Sequence, residues 1–100
     1  MVKPLRPHPL SIGQAHRFCA SRLSSVLADR DGHEAAVADA AAIASELVTD
    51  AVAAGSSGIE LSLVLRDDSV RVEVSNQFDG AVRDAWAEID VPPRTSGPAP

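Results

Sequence analysis

From Ser11 to Ala28 the apolar positions Ile12, Ala15, Cys19, Leu23 and Val26 recur at intervals of three and four, the spacing of one helix face. Ser11 followed by Gln14 has the form of a capping box, so the pattern predicts a first helix that starts there. A second helix is predicted from the acid-rich start at Asp31–Glu34 to Ala54, where Gly55 supplies a stop. On it Val37, Ala40, Ala41, Ala44, Leu47, Val48 and Ala51 form one apolar arc, opposite Asp39, Ile43, Glu46 and Asp50. The period then changes to two. Ile59, Leu61, Leu63 and Leu65 alternate with Glu60, Ser62, Val64 and Arg66, and Val70, Val72 and Val74 repeat the alternation after Asp67 and Asp68. This predicts a β-hairpin with one buried face, although its turn lacks the usual glycine.

Beyond "NQFDG" the positions Val82, Ala85, Trp86 and Ile89 return to helical spacing, predicting a short amphipathic helix over Ala81–Ile89. At the other end Pro4, Pro7 and Pro9 deny helix and favour an extended lead-in. The expected organisation is an extended segment 1–10, one domain over 11–91 and a disordered Pro- and Gly-rich tail over 92–100. Two helices on a small antiparallel sheet make a two-layer α/β sandwich.

Composition narrows the function. At 100 residues and 45% hydrophobic, with only Phe18, Phe78 and Trp86 as aromatics, the core must be built from small aliphatic side chains. A net charge of −5 opposes a phosphate backbone, where Lys and Arg must replace counterions, so nucleic acid is not an expected direct ligand. Cys19 is alone, which excludes a disulfide framework, and no Cys/His cluster has zinc-site spacing. The N-terminus reads as no signal peptide and no segment approaches the ~20 apolar residues of a membrane span. The expectation is a cytoplasmic protein with no membrane partner.

The candidate chemistry lies in "SELVTDAV". Glu46 and Asp50 stand one helical turn apart, where like charges repel. They are either a solvated acidic face or a functional pair. Together with the element order, this stretch resembles the ATP-binding domain of the GHKL superfamily, which includes gyrase and the histidine kinases. It is most similar to the small serine-kinase anti-sigma factors and their actinobacterial relatives. The resemblance covers roughly residues 9–80. It implies a Bergerat-type fold, here shortened.

In that family a helix carries a glutamate that acts on the attacking group and, four residues on, an asparagine that ligates Mg²⁺. Here Glu46 matches the glutamate, and Asp50 stands at the metal position. A later D-x-G-x-G motif holds adenine through its aspartate and gives the nucleotide room through its glycines. Asn76 stands at the aspartate position, Phe78 at the first glycine and Gly80 at the second. The second glycine-rich phosphate motif has no match in residues 81–100. These departures imply a regulatory protein-binding module whose ATP binding is weak or lost and which controls transcription by sequestering a partner: a sigma factor, an anti-sigma antagonist or a DNA-binding regulator. The alternative is a Mg-ATP-dependent serine kinase or ATPase, with Glu46 as base, Asp50 on Mg²⁺, and Asn76 and Gly80 at adenine.

Val82, Trp86 and Ile89 have two readings: a stripe folded back over the sheet, or an anchor for a partner. A sheet this small also exposes strand edges, so a homodimer or an obligate complex is expected.

Overall fold

The computed structural model describes residues 1–94. The chain runs β1 (Val2–Leu5), α1 (Leu10–Val26), α2 (His33–Ala53), β2 (Gly58–Leu65), β3 (Ser69–Phe78) and β4 (Ala81–Asp90). The four strands form one antiparallel sheet in the order β1-β2-β3-β4. Both helices pack on one face of it, giving the expected two-layer α/β sandwich. The expected tail falls mostly outside the described residues.

The core follows the hydrophobic pattern. Ala15, Cys19 and Leu23 of α1 meet the small arc of α2 above Ile59, Leu61, Leu63, Val70, Val72 and Val74, all buried. Small side chains let the helices and sheet approach closely. Leu27 and Val91, outside the helices and strands, complete this core.

Two local expectations need correction. The capping box does not form: α1 starts at Leu10 behind Pro9, whose φ of −52° is already helical. Ser11 is buried in the first turn, and its hydroxyl donates to the Arg6 carbonyl at 2.7 Å rather than capping. Further along, Ala81–Asp90 is a strand, not a helix. Asp79 (φ 32°) and Gly80 (φ 83°) form a two-residue turn with positive φ at both positions, the hairpin geometry that suits strand twist. Once Phe78 pairs with Ala81, each following residue falls opposite β3, with Val74 against Ala85, Val72 against Ala87 and Val70 against Ile89. Ladder pairing along ten residues outweighs the helical spacing of four apolar ones.

Arg30 clamps the ends together. Its side chain is buried, and Nη1 donates to the carbonyls of Asp67 at 2.7 Å and Pro92 at 3.2 Å. It ties the α1–α2 connector to the β2–β3 turn and to the segment after β4.

Candidate functional site

Of the arc expected opposite the apolar face of α2, Asp39, Glu46 and Asp50 are exposed, whereas Ile43 packs against the core. Glu46 and Asp50, with Ser45 and Thr49, line an open hollow of about 310 Å³. Neither hydroxyl faces a base: Ser45 donates to the Ala41 carbonyl at 3.1 Å and Thr49 to the Ser45 carbonyl at 2.6 Å, the back-bonding usual inside helices. Among the described residues no three His, Cys, Asp or Glu side chains group as metal ligands would.

Asn76 does not line that hollow. It lies on the helix side of β3, opposite Ile59 and Arg83, and is 8% exposed. Its Oδ1 is buried and, among the described residues, accepts no hydrogen bond. Such an acceptor suits an amino donor, as an adenine reader would. The neighbouring positions do not fit a nucleotide as well. The Phe78 ring carries the Arg83 guanidinium at 5.4 Å, and Gly80 serves the turn into β4, so the chain passes directly from β3 into β4. Gly80 borders a separate small hollow with Ser57, Gln77, Ala81 and Val82. Glu46 and Asp50 line one hollow, Gly80 borders another, and Asn76 lines neither.

The trio Val82, Trp86 and Ile89 is divided by the strand. Ile89 turns to the helix side and packs against the core, whereas Val82 and Trp86 lie on the open face, 63% and 54% exposed. They do not form one stripe, because strand side chains alternate between faces. Trp86 lies beneath the Arg71 guanidinium, 4.1 Å from the ring centroid, and Arg71 also pairs with Glu73 at 3.0 Å. The contact holds the indole in place while leaving more than half of the residue in solvent.

β4 is also an edge. In an antiparallel ladder, residues that exchange hydrogen bonds with one neighbour alternate with residues whose N–H and C=O point away. The Val91 amide donates to the Asp68 carbonyl at 2.9 Å, which sets the phase. Val82, Asp84, Trp86, Glu88 and Asp90 therefore direct their backbone groups outward, with their side chains on the open face. Asp84 accepts from the Ser75 hydroxyl, and Glu88 lies 3.8 Å from Arg66. The edge combines free hydrogen-bonding groups, acidic side chains and a braced tryptophan. The signal for it was the dipeptide Asp79–Gly80 between apolar runs.

No family model, curated protein or solved structure matches this chain. Among the described residues no helix is long and apolar enough to cross a membrane.

Proposed function

We propose that this chain is a regulatory protein-binding module of the anti-sigma type, which captures a basic partner along β4 and holds no nucleotide. One observation carries the reading: a ten-residue edge strand with outward backbone groups and an exposed, Arg-braced Trp86. An extended segment added to such an edge gains main-chain hydrogen bonds, and alternate side chains select it. Basic side chains on that segment would meet Asp84, Glu88 and Asp90. Two copies paired through β4 would set these acids against one another, and like charges directly opposite destabilise a ladder. The charge pattern thus favours a different chain over a homodimer at this edge. The resemblance of "SELVTDAV" supplies the class of partner: a sigma factor, an antagonist of one, or a DNA-binding regulator, held away from its target.

The second reading, a Mg-ATP-dependent kinase or ATPase, is favoured by the unpartnered Asn76 Oδ1. In it Asn76 would read the base and Asp50 would hold the metal.

Calorimetry with Mg-ATP and a capture assay with co-expressed sigma factors and antagonists separate the two. The module reading expects no nucleotide heat at millimolar ATP. It expects capture that survives Glu46→Ala and Asp50→Ala but weakens about 30-fold with Trp86→Ala, a hot-spot loss of ~2 kcal/mol. Nucleotide heat abolished by Asp50→Ala would install the enzyme reading instead. Appearance of that heat only in an Asp50→Asn, Phe78→Gly double variant would support descent from an ATP-binding ancestor.

A further inference from the structure

Another hollow lies elsewhere, between α1 and β1, and its charge is opposite to that of the rest of the molecule. It measures about 550 Å³, and its lining includes Lys3, Arg17, Phe18, Ser21, Arg22 and Ser25. The first acidic residue in the chain is Asp29. Residues 1–28 carry four of the nine basic side chains, Lys3, Arg6, Arg17 and Arg22, and leave all fourteen acidic ones to the remainder. Lys3, Arg17 and Arg22 make no ion pair among the described residues. Phe18 organises two of them: Lys3 Nζ lies 5.8 Å and the Arg22 guanidinium 5.6 Å from its ring centroid. Cations held over an aromatic ring are positioned before a ligand arrives.

We infer that this hollow docks an acidic, carboxylate-bearing protein segment. This surface is distinct from β4 and of opposite preference, and the inference does not depend on β4 capture. The cations reach the hollow from two elements, β1 and α1, so a ligand with several anionic groups engages them together. Exposed ion pairs are individually weak, so a single small anion is poorly held. The Ser21 and Ser25 hydroxyls add neutral donors that suit carboxylates. A nucleobase stacking on Phe18 would compete with Lys3 and Arg22 for the ring. A long nucleic acid would also meet the acidic remainder of the chain, whereas a short acidic segment confined to the hollow would not.

The test is fluorescence anisotropy of the whole protein with a short labelled poly-glutamate peptide at low salt. Unlabelled single-stranded DNA and inorganic polyphosphate serve as competitors. The peptide is expected to bind, to weaken as salt rises, and to lose about tenfold or more in affinity when Lys3, Arg17 and Arg22 are all changed to Glu. A milder Arg17→Gln, Arg22→Gln variant, checked by circular dichroism, is expected to weaken binding in the same direction. Amide shift changes on peptide addition should fall on α1 and β1. No binding at low salt, affinity unchanged in both charge variants, shifts centred on α2, or displacement by DNA or polyphosphate at concentrations below the peptide's own would each overturn the proposal.

Discussion

At the scale of single residues, two buried groups make opposite demands on the fold. Cys19 is fully buried on α1, and removal from water pushes its thiol from 9.0 up to about 11, because burial disfavours the thiolate. Between those values the unfolded chain loses its thiol proton and the folded chain keeps it. Unfolding then releases a proton, so stability falls as pH rises from about 9 towards 11 and is unaffected by this group below about 8. A shift of this size corresponds to at most ~3 kcal/mol. Urea melts across that range should show the decline in the parent and a flatter profile in Cys19→Ala, itself less stable at neutral pH through lost packing. Asn76 presents the reverse case, a polar group whose buried Oδ1 has no partner among the described residues. Replacing it by an apolar side chain of similar volume removes a desolvated acceptor. Asn76→Leu should therefore leave stability unchanged or raise it by about 1 kcal/mol, measured by denaturant midpoint. A loss of more than about 2 kcal/mol would show that the amide makes interactions the fold requires.

At the scale of elements, the helices and the β2–β3 hairpin were legible because one periodicity dominated each. The arc from Val37 to Ala51 and the alternation of Ile59, Leu61 and Leu63 both describe surfaces that the core buries. β4 was not legible from periodicity, since Val82, Ala85, Trp86 and Ile89 satisfy a helical template while the residues facing the helices are small and mixed: Ala85, Ala87 and Ile89. The deciding information was local to the turn, not to the strand. The same limit governs the candidate site. "SELVTDAV" announced an exposed acidic pair, but nothing in the spacing said that Asn76 would be buried or that Phe78 would engage Arg83. The turn can be tested directly. With φ at +83°, Gly80 holds a conformation that a β-carbon disfavours, so Gly80→Ala should cost about 1 kcal/mol. Open space around it means that the loss measures backbone strain rather than a clash. A stability equal to the parent's by urea titration would mean that the turn relaxes readily into another form.

At the scale of the whole molecule, the two edges of the sheet are treated differently. β1 is short, and its ladder is closed at the far end by reciprocal bonds between Met1 and Leu63, at 3.0 and 2.8 Å. That phase places Met1, Lys3 and Leu5 in the hydrogen-bonded pairs with β2 and directs the backbone of Val2 and Pro4 outward. Proline at this position removes an outward donor without costing an internal bond, one of the means by which sheets refuse a further strand. β4, by contrast, keeps every outward donor, and among the described residues it is guarded by charge, which repels acidic strands and admits basic ones. The asymmetry leads to a prediction about Pro4 that separates stability from association. Pro4→Val restores an N–H at the edge while leaving the β1–β2 bonds intact, so the urea midpoint should change by no more than ~0.5 kcal/mol. Self-association, followed by sedimentation over a range of concentrations, should increase, because the new edge can pair with another copy. A large loss of stability with no gain in association would place the proline in the ladder rather than at its boundary, and β1 would no longer count as a closed edge.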